Sequence, residues 1–165
     1  ALYVLNNALG GSMSSRLFQH IREERGMAYS VYSYPSGYSG TGYFALYAGT
    51  EGKQGAQVAE LMLQEARRMR EQGLTAEEFH RAKEQLKGSY MLGQESTSAR
   101  SSAIGRSMLM RGYALEEGEM LSRIAGVRMA DVEAILPYVL DESRMVAAVV
   151  GRQAVHTKVR QAMGL

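Results

Sequence analysis

Apolar residues recur along the chain with two different periods, and the changes of period divide it into helices and strands. Residues 2–9 carry Leu2, Leu5, Ala8 and Leu9 on one helical face and stop at Gly10 and Gly11. A second helix is expected over residues 15–25. Leu17, Phe18 and Ile21 form its buried stripe, Ser14 or Ser15 can cap its start, and Gly26 stands where a left-handed C-terminal cap is wanted. Beyond Gly26 the period falls to two. Tyr29, Val31 and Ser33 alternate with Ala28, Ser30, Tyr32 and Tyr34, and later Tyr43, Ala45 and Tyr47 alternate with Phe44, Leu46 and Ala48. Residues 35–40, Pro-Ser-Gly-Tyr-Ser-Gly, read as a turn-rich connection, so the two strands form an antiparallel hairpin.

The helical period then returns. Val58, Ala59, Met62, Leu63, Ala66 and Met69 make an apolar stripe over residues 54–70, closed by Gly73. Thr75 and Glu78 have the spacing of a capping box, after which Phe79, Ala82, Leu86 and Tyr90 continue a long helix. A break is expected at residues 88–93, followed by helix to about residue 110 and a stop at Gly112. Residues 115–125 and 129–140 read as two short helices, the second disturbed by Pro137. Residues 144–150, RMVAAVV, form a continuous apolar run that suggests a central strand buried on both faces, and residues 153–163 suggest a terminal helix.

Composition narrows the function classes. The 165 residues suit one domain; 19 basic against 17 acidic side chains give a net charge of +2, too small and too evenly spread to predict a nucleic-acid or membrane surface. No apolar run approaches the roughly 20 residues that cross a bilayer. The chain has no cysteine, which removes thiol nucleophiles, disulfides and cysteine-ligated metal. It opens at Ala1 directly into a helical pattern, as an excised piece of something longer would.

Local chemistry is sparse. The run Gly10 to Ser15 before a helix could attract an anion, but it lacks Gly-Lys-Ser/Thr and a preceding strand. Three histidines are present: His20, His80 and His156. His20 to Glu24 misses the inverted zinc motif His-x-x-Glu-His by one residue, because Glu24 stands where the second imidazole belongs, and His80 to Glu84 has no second imidazole either. These read as solvated helix histidines, so no metal site is expected. Adjacent carboxylates such as Glu23 and Glu24 diverge on a helix, and no serine lies in a Gly-x-Ser-x-Gly elbow. Arg22 and Tyr29 remain. They are either a plain surface pair or a grip on peptide, with arginine donating to backbone carbonyls and the phenol stabilising an oxyanion.

Ser15-Arg16-Leu17-Phe18, Ile21-Arg22-Glu23 and Gly26-Met27-Ala28-Tyr29, followed by Thr41 to Thr50, closely resemble the C-terminal half of the insulinase/pitrilysin family of zinc metallopeptidases. The similarity is greatest to its processing-protease branch, which includes mitochondrial processing peptidase. Met27 replaces the usual leucine, Arg128 replaces a Ser/Thr cap, and Pro137 is unusual.

The resemblance implies an α+β fold, an antiparallel sheet backed by helices, forming one half of a clamshell, with the domain incomplete here and its first strand expected to lie before Ala1. Residues 1–165 would be a single peptide-binding C-terminal domain. Zinc would reside in a partner half, an N-terminal domain or a partner subunit, and Arg22 and Tyr29 would support substrate and transition state across a homo- or heterodimer or within one chain. The parent would be a zinc-dependent metalloendopeptidase of the bacterial cytoplasm, and this chain alone inactive. The alternative is a non-proteolytic structural or assembly subunit of the same fold, as in respiratory-complex core proteins.

Overall fold

A computed structural model describes residues 1–164. Along it run α1 (Leu2–Leu9), a short π-wound helix (Phe18–Glu23), β1 (Ser30–Tyr38), β2 (Thr41–Gly49), α2 (Gly55–Gln72), α3 (Ala76–Gly93) and α4 (Thr97–Arg111). These are followed by α5 (Glu117–Gly126), α6 (Met129–Glu133), α7 (Leu136–Val139), a 3₁₀ turn (Glu142–Arg144) and α8 (Gln153–Ala162). The architecture is α+β, with one antiparallel pair of strands and helices packed around it.

Helix α1 occupies the centre because it is apolar over most of its circumference. Val4, Leu5 and Leu9 are wholly buried, and the helix packs on α3 and on β1. Its end meets the sheet at a glycine: the Gly10 carbonyl accepts from the Ser33 N–H at 3.1 Å, and Ser33 Oγ donates to Asn6 Oδ1 at 2.8 Å. A β-carbon on Gly10 would lie 2.6 Å from Ser33 N and 2.9 Å from Leu17 Cδ1, so the close approach requires glycine.

The hairpin is longer than the sequence suggests. Strand β1 runs through Pro35, Ser36 and Gly37 to Tyr38, and the loop is only Ser39 and Gly40, with Gly40 at φ +76°. Tyr38 pairs with Thr41 and Pro35 with Phe44. Counting from the closing pair, Pro35 falls at a position whose N–H points away from β2, so its missing donor removes no rung. Alternation then sorts the faces. Val31 and Ser33 are buried, whereas Tyr32, Tyr34, Tyr38, Tyr43 and Tyr47 form an exposed aromatic face, with Tyr32 and Tyr47 stacked at 4.8 Å between ring centroids.

The helices follow their expected boundaries with two shifts. Helix α3 continues through Gly88, and the break comes later, where the Ser96 hydroxyl accepts from the Ala99 N–H at 3.2 Å to start α4. Residues 129–140 divide into α6 and α7, and α6 ends at Glu133, the residue whose carbonyl the Pro137 ring would strike in a continuous helix. At Arg128 the cap is supplied from the other side, with the Asp131 carboxylate accepting from the Arg128 backbone N–H at 2.8 Å.

The expected central strand at residues 144–150 is not formed. Glu142–Arg144 is a 3₁₀ turn and residues 145–150 pair with no strand; among the described residues the sheet holds β1 and β2 alone. Val146 is 95% exposed and Val150 fully so. An apolar run specifies a two-sided strand only when flanking strands supply its hydrogen bonds.

The α2–α3 corner is tied to the start of the π-wound helix by one arginine. Arg16 makes two bonds to the Glu78 carboxylate, Nε to Oε1 at 2.6 Å and a terminal nitrogen to Oε2 at 2.8 Å, and a third to the Gly73 carbonyl at 2.8 Å. Glu78 also accepts from the Thr75 N–H at 2.8 Å, while Thr75 Oγ1 accepts from the Glu78 N–H, completing the capping box. These bonds, Arg16 first, hold the Glu78 carboxyl down from 4.5 to about 2 against the opposing effect of burial.

Because the folded value lies below the unfolded one, this stabilisation is complete above the ordinary carboxylate range and is lost as pH falls toward 2. Glu78→Gln should therefore cost about 2 kcal/mol at neutral pH and progressively less in acid, read by denaturant unfolding at several pH values. Gly10→Ala should cost about 1–3 kcal/mol through overpacking against β1, measured in the same way.

Candidate functional site

The segment between α1 and β1 has to turn the chain from helix to strand within a few residues. Ser15 begins it: its carbonyl accepts from the Gln19 N–H at 3.0 Å. Its hydroxyl donates to the Ser12 carbonyl, and Ser14 meets Ser12 Oγ at 3.3 Å, so these side chains brace the preceding loop and neither caps the helix. Leu17 and Ile21 are wholly buried on the core side.

The winding is wider than α. The Glu24 N–H reaches back five residues to the Gln19 carbonyl at 2.9 Å, giving a π turn, a form that often occurs where side chains must be re-aimed. Gly26, at φ +59°, ends the helix by donating to the Arg22 carbonyl, and the Met27 N–H donates to the Ile21 carbonyl, both at 2.9 Å. The strand side is fixed too. Thr50 Oγ1 donates to the Met27 carbonyl, and the Tyr29 N–H donates to the Gly49 carbonyl at 3.0 Å.

This frame brings Arg22 and Tyr29 together. The Arg22 guanidinium carbon lies 4.8 Å from the Phe18 ring centroid and 5.7 Å from that of Tyr29, so the cation is held by two aromatic faces. Both side chains are exposed, Tyr29 at 87%, and neither the guanidinium nor the phenol is engaged in a hydrogen bond or ion pair among the described residues. The result is a cation with its N–H fork free, next to a free phenolic donor. Such a pair can receive carbonyl or carboxylate oxygens without first breaking an existing bond.

His20 differs from the solvated histidine expected of it. Its Nδ1 lies 2.9 Å from Oε1 of Glu65 on α2, and its Nε2 lies 3.8 Å from Glu24. Glu65 is a buried carboxylate, 4% exposed, that also meets Arg68 at 3.2 Å, and its second oxygen has no hydrogen-bond partner. The sequence held a signal for it, since Glu65 sits in the apolar stripe of α2 between Met62 and Met69 at helical spacing. His80 lies on α3 and His156 on α8, so the three histidines occupy different elements. No group of three or more histidine, aspartate or glutamate side chains is placed to hold a metal among the described residues.

Residues 1–86, which contain both Arg22 and Tyr29, match the family model described as Peptidase M16 inactive domain. An uncharacterized zinc protease of Streptomyces coelicolor is 49% identical over 140 residues, covering 85% of this chain and 30% of that protein. An uncharacterized zinc protease of Bacillus subtilis is 39% identical over 148 residues, covering 90% of this chain and 36% of that one. The chain thus spans about a third of the length of these relatives. Among solved structures, a peptidase M16 inactive domain from Pseudomonas fluorescens superposes with a TM-score of 0.68 at 24% identity, over 81% of this chain and 32% of that one, which shows the shared fold. With the family model covering more than half of its residues, including the whole helix-to-strand corner, the chain belongs to the peptidase M16 inactive-domain family.

Proposed function

We propose that this chain is the C-terminal, zinc-free half of a processing-type metalloendopeptidase, and that it grips extended peptide with Arg22 and Tyr29 while a zinc-bearing half supplies metal, base and water. The observation that carries this reading is the state of the pair: two exposed donors, oriented by aromatic packing and backbone bonds, with their hydrogen-bonding capacity unspent. A purely structural arginine in this chain looks different. Arg16 uses three hydrogen bonds in a sheltered pocket, whereas Arg22 uses none.

The chemistry assigned to the chain is positional and electrostatic. The guanidinium fork donates to peptide carbonyls and the phenol donates to oxygen that gains charge as the carbonyl is attacked. Neither residue needs to change protonation state. The exposed tyrosine face of the hairpin offers neighbouring ring surfaces to an extended peptide, whose backbone groups satisfy strand geometry whatever its sequence.

We assign the remaining surfaces to contact with the rest of the parent protein. Helix α4 has no buried residue and exposes Ile104, Met108, Leu109 and Met110, and the unpaired run at residues 145–150 exposes Val146 and Val150. Apolar patches of this kind mark contact sites. The relatives, about three times the length of this chain, have ample polypeptide to cover them.

In the full-length parent, Arg22→Ala should lower kcat/KM for an unstructured peptide by about a hundredfold and Tyr29→Phe by about tenfold, the scale of losing one oriented donor. Melting curves should stay unchanged; wild-type turnover in both variants would return the pair to the role of surface decoration. The chain by itself should neither cleave peptide nor copurify with zinc. Metal analysis showing one tightly bound zinc per chain, together with turnover, would overturn the assignment to the zinc-free half.

A further inference from the structure

We infer that His20 is a positioning residue for Arg22, acting through its 2.9 Å contact with the buried Glu65 of α2. The inference rests on the functional reading of Arg22 and adds a residue that never touches substrate.

Placement on the helix makes the case. Residues two apart on a helix project to nearly opposite sides, so His20 reaches inward to α2 while Arg22 reaches outward over Phe18 and Tyr29. The ends of the segment are held by Arg16 and Gly26, and its core side by Leu17 and Ile21. Apolar contacts alone leave rotation about the helix axis soft, since Leu and Ile slide against neighbours with little directional preference. The 2.9 Å contact from Nδ1 to the Glu65 carboxylate adds a polar tie to α2 at one defined point.

Glu65 is itself evidence for such a role. A carboxylate at 4% exposure, with one oxygen unpartnered, is costly to maintain among Val58, Ala66 and Met69. The groups facing it are few. Arg68 approaches from its own helix at 3.2 Å, and from the π-wound helix only His20 does so. On the other side of the imidazole stands Glu24, whose second oxygen takes Arg25 at 3.0 Å. Among the described residues, the imidazole is therefore the side chain of the helix carrying Arg22 that meets the buried Glu65 carboxyl of α2.

Double-mutant kinetics in the full-length parent test this, with a quenched fluorogenic peptide as probe. His20→Ala should lower kcat/KM about tenfold when Arg22 is present and less than about twofold in an Arg22→Ala background, because a positioning residue has nothing left to position. His20→Gln, whose amide can still donate to Glu65, should recover activity to within about threefold of wild type. Should His20→Ala fail to fold, Glu65→Gln takes its place in the same cycle with the same expectation of loss confined to the Arg22 background. An equal loss in both backgrounds, or no loss in either, would overturn the inference while leaving the Arg22 reading intact. Unchanged turnover in Arg22→Ala alone would instead sink the functional reading, and the positioning role with it.

Discussion

The Arg16–Glu78 contact is the constraint on which the arrangement of this domain depends. It joins three things that are distant in sequence: the first turn before the π-wound helix, the Gly73 carbonyl at the end of α2 and the capping box that starts α3. Without it, the charged helix would keep the burial of Leu17 and Ile21 and the His20 contact to Glu65 but lose its tie to the α2–α3 corner. A bidentate arginine is suited to this task because its planar fork fixes direction as well as distance. One terminal nitrogen of Arg16 still lacks a protein partner, so the knot is not ideally satisfied, and its three good bonds must outweigh that cost.

From that fixed point the geometry of the candidate site follows by short covalent steps. Arg22 lies six positions after Arg16, and the π winding between them shifts side-chain directions relative to an α-helix of equal length. Gly26 then reverses the chain with a left-handed residue, and the Thr50 and Gly49 contacts deliver Tyr29 to the end of the hairpin. The Arg22 carbonyl accepts from the Gly26 N–H and the Tyr29 N–H donates to the Gly49 carbonyl. The Arg22 side chain lies over the rings of Phe18 and Tyr29. The backbone frame of the pair is thus set by bonds within the domain.

Much of this was legible in the residues. The boundaries of α1, the stripe of α2, the Thr75–Glu78 capping box, the left-handed Gly26 and the alternation of the hairpin all follow from local chemistry, which the fold leaves undisturbed. Arg22 and Tyr29 were found by their spacing about a glycine stop and by resemblance. What could not be read depended on partners far away in sequence. Pro35 looked like a loop former because its register against Phe44 was unknown, and RMVAAVV looked like a buried strand because its composition says nothing about whether neighbours are present. Glu65 was marked by its place in the apolar stripe of α2, but its partner was hidden for the same reason, because the imidazole of His20 lies 45 positions earlier and meets it only in the fold.

The domain thus uses its charged groups in two opposite ways, and the contrast bears on function. Arg16 with Glu78, and Lys83 with the Ala125 and Val127 carbonyls, spend their donors on internal bonds between elements. Arg22 spends none. Leaving a guanidinium unbonded beside an unbonded phenol forgoes stability that a neighbouring acid could readily provide, since Glu23 and Glu24 are adjacent in sequence and Glu24 turns instead to Arg25. An open donor pair on a hydrogen-bonded backbone frame is the feature that the proposed peptide-gripping role would use, since an acceptor oxygen from outside the domain could bind there without displacing an internal partner.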